Sequence, residues 1–133
     1  MKLIKKMVAL LVLTIVAFVA NAYVAAYVAC LFFPPVLPRP YVEMATCALA
    51  GGLGAAALVA YPLVRIYAHR ASMAALVVAA PIVYLRANEA LYYAGKDQTR
   101  ILVMAWLELL LFPTVILLGV WLASRHLAHK PGR

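Results

Sequence analysis

The chain has 133 residues, of which 68% are hydrophobic and 12% charged, and its formal net charge is +8. Such a composition excludes an ordinary water-soluble domain, because too few polar residues remain to cover the outside of a folded chain. We therefore expect an all-α integral membrane protein with a single transmembrane domain over residues 1–133, since four crossings of about 20 residues each leave only short loops.

The first predicted transmembrane helix covers residues 7–33. It follows the basic stretch MKLIKK and contains no charged residue, which is typical of a signal anchor. A cleaved signal peptide is the alternative, because Ala20, Asn21 and Ala22 resemble a cleavage site. Retention is favoured because the apolar run continues to Phe33, and the proline-rich PPVLPRP then ends the helix.

The second predicted helix covers residues 42–64 and carries a ridge of small residues. Its members recur at helical spacing and are Ala48, Gly51, Gly52, Ala56 and Ala60. Small side chains let a neighbouring backbone approach closely, which is how helices associate in lipid. The neighbour is either another helix of this chain, which we favour, or a second protomer.

The third and fourth predicted helices cover residues 71–93 and 100–123. A strictly apolar third segment would stop at Leu85, and its roughly 15 residues are too few to cross a bilayer. The helix must therefore continue through Arg86 and Glu89, and AGKDQT forms the turn that follows. The sequence thus predicts an up-down bundle of four transmembrane helices.

The basic residues are distributed unevenly between the two ends of this bundle. One end has a charge of +8 without any acid, from Lys2, Lys5, Lys6, Arg65, Arg70, Arg125, Lys130 and Arg133. The other end holds four basic and four acidic residues, 4 − 4 = 0. This asymmetry places the basic end and both termini in the cytoplasm, and it favours a bacterial inner membrane. It also explains the net charge without nucleic-acid binding.

Glu108 is flanked by leucines inside the fourth predicted helix, where an unpaired carboxylate would be costly. If the preceding turn centres on Asp97, Arg86 lies 97 − 86 = 11 residues before it and Glu108 lies 108 − 97 = 11 after it, at equal depth. Glu89 shares the face of Arg86. We therefore predict an intramembrane cluster of Arg86, Glu89 and Glu108, with the tyrosines Tyr23 and Tyr27 as additional hydrogen-bond donors.

Two interpretations of this cluster stay open. It can serve only to fix the register of the two helices, which is the favoured interpretation. It can also form a polar site that binds an ion, a proton or a lipid headgroup. Asn21, near the middle of the first helix, is interpreted as a packing residue whose amide bonds to a neighbouring helix.

The sequence contains no catalytic set and no cofactor motif, so we expect neither an enzyme nor a cofactor. His126 and His129 lack a third ligand, and no metal site is predicted. Cys30 and Cys47 lie near the outer ends of two helices, where a disulfide is possible but packing as small apolar residues is favoured. The bilayer is the expected environment, with a membrane-protein partner or a second copy of the chain.

Two functions agree with these observations. The first is a non-catalytic protein that acts through a partner, either as an accessory subunit of a membrane complex or as a toxin-immunity protein. The second is a small oligomeric transporter or channel that uses Glu108, since four helices enclose too little space for a pore of their own.

Overall fold

The computed structural model describes residues 2–35 and 39–129. Within these ranges the chain is helical and has no strand, which confirms the all-α prediction. The elements are α1 (Lys2–Phe32), α2 (Tyr41–Tyr67), a 3-10 helix (Ala68–Arg70), α3 (Ala71–Tyr93) and α4 (Thr99–Ala128). Lys130 and Arg133 of the predicted basic end, and part of the proline-rich loop, lie outside the described residues.

Three helical stretches in the described ranges are long and apolar enough to cross a membrane, namely Lys2–Phe32, Tyr41–Tyr93 and Thr99–Ala128. The protein is therefore of the membrane-spanning class. The second stretch contains both α2 and α3, so the predicted number of four crossings stays a prediction. Its regular geometry is interrupted at Ala68, whose φ of 46° and ψ of −115° end α2.

The order in which the helices pack around the bundle differs from their order along the chain. α1 packs on α2 and α3, and α4 packs on the same two helices. In the described part of the chain, the backbones of α1 and α4 do not approach each other. A hydrogen bond from the Tyr67 hydroxyl to the Lys6 carbonyl joins the end of α2 to the start of α1.

The five small ridge residues of α2 are all buried within the chain. A Cβ added to Gly51 would lie 2.6 Å from both the carbonyl oxygen and the side-chain Oδ1 of Asn21 in α1. A Cβ added to Gly52 would instead meet Val115 of α4, at 3.6 Å. The ridge thus packs against both α1 and α4, which are helices of this chain.

Lysine and arginine side chains lie over aromatic rings at both ends of the bundle. One end has Lys96 over Tyr92 and Arg100 over Tyr41, and the other has Arg65 over Tyr61 and Arg125 over Trp121. Arg100 and Arg125 are separated along α4 by about 37 Å at the usual helical rise. This separation is close to the thickness of a bilayer with its headgroups, where such aromatic belts occur.

Candidate functional site

An ion cluster joins α3 to α4 in the half of the bundle near the 94–98 turn. The Nε of Arg86 donates a hydrogen bond to Glu108 Oε2 at 2.6 Å, and its Nη1 donates to Glu89 Oε2, also at 2.6 Å. Glu89 lies one helical turn after Arg86, so both side chains leave α3 on the same face. The structure therefore brings together Arg86 and Glu108, which the sequence places at equal depth, and Glu89, which the sequence places on the same face as Arg86.

Burial differs between the members of this cluster. The side chain of Glu108 is 11% exposed, whereas those of Arg86 and Glu89 are 31% and 34% exposed. Glu108 is therefore the carboxylate that depends most on its partner, because few other groups can solvate it. With all three groups ionised, two carboxylates and one guanidinium carry a formal charge of −1.

A cavity of about 370 Å³ opens beside the cluster, between α1 and α3. Arg86, Glu89 and Glu108 form its polar wall. The facing wall belongs to α1 and consists of Phe18, Asn21, Ala22 and Ala25, and Ile82 and Leu85 complete the lining. The predicted packing role of Asn21 misses its place in this lining, although an amide on an otherwise apolar helix is a signal for a polar site at this depth.

The predicted role of the two tyrosines is not supported by the structure. Tyr23 and Tyr27 are 69% and 55% exposed, and their rings stack on each other with centroids 6.3 Å apart. Neither residue lines the cavity or donates a hydrogen bond to the cluster. At helical spacing they follow the outward face of α1, whereas Asn21 follows the face that meets α2 and α3.

The remaining candidate residues do not form a second site. Cys30 is exposed and Cys47 is buried, and both thiols are free. His126 and His129 are exposed near the end of α4, where Nδ1 of His129 lies 3.0 Å from the Arg125 carbonyl oxygen. Over residues 2–35 and 39–129, no group of three His, Cys, Asp or Glu side chains is arranged to hold a metal ion.

Comparison with protein-family models, with curated proteins and with solved structures finds no match for this chain. Its chemistry must therefore be derived from the cluster and the cavity. Each carboxylate keeps a second oxygen that makes no hydrogen bond to Arg86. Such an oxygen-rich wall with an uncompensated negative charge suits a positively charged ligand.

Proposed function

We propose that the chain crosses a bacterial inner membrane four times, with helices of alternating direction and both termini in the cytoplasm. The position of α1 against two helices supports this topology. Asn21 approaches Gly51 of α2 and also shares a cavity with Arg86 of α3. One straight helix would separate Gly51 from Arg86 by about 52 Å, so the closeness of both to α1 supports a reversal of chain direction between α2 and α3.

Cysteine labelling tests this topology. In a chain whose two native cysteines are replaced by alanine, Lys96→Cys is expected to react with a membrane-impermeant maleimide in intact cells. His129→Cys is expected to react only after the membrane is permeabilised, since the acid-free end faces the cytoplasm. Labelling of both positions from the same side would contradict four crossings.

For function, we propose a small membrane transporter or channel that binds a monovalent cation at Glu108. The observation that supports it is the cavity beside a cluster with a formal charge of −1. In apolar surroundings a proton, an alkali ion or a protonated amine would neutralise that charge. The small-residue ridge gives no evidence for a partner protein, because other helices of this chain bury it.

The cation site is tested by substituting one acid and measuring transport. In proteoliposomes of the full chain, Glu108→Gln is expected to lower Na⁺ or H⁺ flux by roughly tenfold or more, because the site loses its most buried carboxylate. Glu43→Gln removes the same charge at the start of α2 and is expected to leave the flux unchanged. Equal flux in the two variants and the parent chain would remove Glu108 from the mechanism.

Glu89→Gln provides a second test if Glu108→Gln folds poorly. Glu89 is 34% exposed and holds only one of the two hydrogen bonds to Arg86, so its replacement leaves the link between α3 and α4 intact. A smaller loss of flux than in Glu108→Gln is expected. Both variants are compared only as monodisperse protein of equal reconstituted amount, so that a folding defect is not counted as lost transport.

The second candidate function, an accessory or toxin-immunity protein acting through a partner, is favoured by tyrosines on the outer surface. Tyr23 and Tyr84 are 69% and 72% exposed, and neither hydroxyl bonds to a described residue. Hydroxyls in lipid gain from an acceptor on a neighbouring helix. This function would be favoured over transport if another protein co-purified in stoichiometric amount from native membranes and if Glu108→Gln left the flux unchanged.

A further inference from the structure

A second cavity, of about 280 Å³, lies at the basic end of the bundle, between the start of α1 and the turn that joins α2 to α3. Leucine and methionine side chains of α1 make most of its surface apolar, and its polar residues are Lys6, His69 and Arg70, with Tyr67 in its wall. No acidic residue of the described ranges lines it. The first turn of α1 begins at Lys2, and its free backbone N–H groups add positive potential at the same end.

An apolar groove continues from this basic cavity along the seam between α1 and α3. The groove has a volume of about 520 Å³ and shares Met7 and Leu10 with the basic cavity. It extends past Thr14 of α1 and is bounded on α3 by Val77, Ala80, Pro81 and Tyr84. The Thr14 hydroxyl donates to the Leu10 carbonyl of its own helix, which leaves the Tyr84 hydroxyl as the free polar group among the described lining residues.

From these two features we infer that the basic cavity and the groove together bind one anionic phospholipid. The phosphodiester would lie against Lys6, His69 and Arg70, and one acyl chain would follow the groove between α1 and α3. Basic pockets between transmembrane helices are suited to anionic headgroups, because cations and apolar surface meet there at the depth of the headgroup. The ion cluster and its proposed cation play no part in this site.

The continuity of the two spaces distinguishes a lipid from a soluble phosphate. A free phosphate would use the three cationic or donor side chains and leave the groove without an occupant. A phospholipid uses both, since apolar contact along the groove adds to the electrostatic attraction of the headgroup. The site fits a phospholipid in either orientation of the chain, because a headgroup region exists on both sides of the membrane.

Lipid retention by the full chain tests the inference. Protein in a neutral detergent is titrated with dioleoylphosphatidylglycerol or with dioleoylphosphatidylcholine, and bound lipid is counted by native mass spectrometry. Phosphatidylglycerol is expected to bind and phosphatidylcholine is not. Lys6→Gln and Arg70→Gln are each expected to weaken binding roughly fivefold. The hydrogen bond from Tyr67 survives Lys6→Gln, because it uses the Lys6 backbone.

Matched controls distinguish a specific lipid site from general electrostatic attraction of the anionic lipid to the basic end of the bundle. Arg65→Gln and Arg125→Gln remove the same charge at the same end, but those side chains lie over Tyr61 and Trp121 and line neither space. They are expected to leave affinity within about twofold. An equal loss in all four variants would overturn the site.

Two alanine-to-leucine substitutions test whether an acyl chain occupies the groove. Ala80→Leu fills the groove without changing charge and is expected to weaken phosphatidylglycerol binding, whereas Ala57→Leu, on an exposed face of α2, is not. Inorganic phosphate and glycerol phosphate are expected to compete poorly. Efficient competition by either would show that a soluble phosphate is the occupant, and indifference to Ala80→Leu would show that no acyl chain lies in the groove; each result would overturn the lipid assignment.

Discussion

Arg86→Gln is expected to lower the free energy of unfolding by about 2 to 3 kcal/mol, the largest effect of any charge removal in this chain. The substitution leaves Glu89 and Glu108 side by side without their shared cation. Loss of one partner from a fully buried pair costs about 3 to 5 kcal/mol, and we expect less here because the Arg86 side chain is 31% exposed.

A double-mutant cycle measures this coupling. The free energy of unfolding is obtained by titrating detergent-solubilised protein with SDS. Glu108→Gln alone is expected to cost less than Arg86→Gln, since Arg86 keeps Glu89 as a partner. The double variant is expected to lose at least about 1 kcal/mol less than the sum of the single losses. Additive losses would mean that the two side chains do not interact in the folded protein.

Arg65→Gln is the matched control for this cycle. Arg65 is exposed at the basic end, and in the described part of the chain its guanidinium bonds to the Tyr61 hydroxyl and lies over the Tyr61 ring. Its removal is expected to cost below about 1 kcal/mol, as for other exposed charge contacts. A loss as large as that from Arg86→Gln would show that general charge removal, rather than the cluster, controls stability.

Gly51→Ala is expected to destabilise the bundle by about 1 to 3 kcal/mol, the usual cost of overpacking a tight contact. The new methyl group would lie 2.6 Å from both oxygens of Asn21. The side-chain oxygen can rotate away, but the backbone carbonyl oxygen moves only if α1 shifts. The same SDS titration measures the loss, and the shift should also change the cavity that Asn21 lines.

The adjacent glycine is the control for Gly51→Ala. A methyl group at Gly52 would meet Val115 at 3.6 to 3.8 Å, which is ordinary van der Waals contact. Gly52→Ala is therefore expected to be neutral or slightly stabilising, because alanine is the better helix former. Equal losses at the two positions would contradict the different neighbours that the structure assigns to them.

The polar contact between α3 and α4 was predictable because it depends only on local arithmetic. Two helices joined by a short turn are antiparallel neighbours, so equal spacing from Asp97 places Arg86 opposite Glu108. The i, i+3 spacing then adds Glu89. The all-α class followed from composition for a similar reason, since only helices satisfy long apolar backbone segments in lipid.

The position of α1 was not predictable in the same way. Apart from Thr14 and Asn21, α1 is apolar around its whole circumference between Lys6 and Phe32, so no periodicity identifies its buried face. Its contacts with α2 and α3 depend on close approach at Gly51 and on loose packing elsewhere. The cavity, the role of Asn21 and the lipid groove all lie on that seam. The small-residue ridge likewise predicted a close helix contact but did not identify which helix would make it.

The link between Arg86 and Glu108 has a consequence for biosynthesis. The ribosome delivers α3 to the insertion machinery before α4 exists, and at that stage Arg86 and Glu89 have no partner on α4. A charge at the centre of an inserting helix adds about 2.5 to 3.5 kcal/mol to the apparent cost of partitioning into lipid, and Arg86 and Glu89, which lie in the last third of α3, are expected to add less than this each. In the proposed four-crossing topology, α3 is therefore expected to remain at the edge of the translocon until α4 emerges, so that the two helices partition into the bilayer as one hairpin.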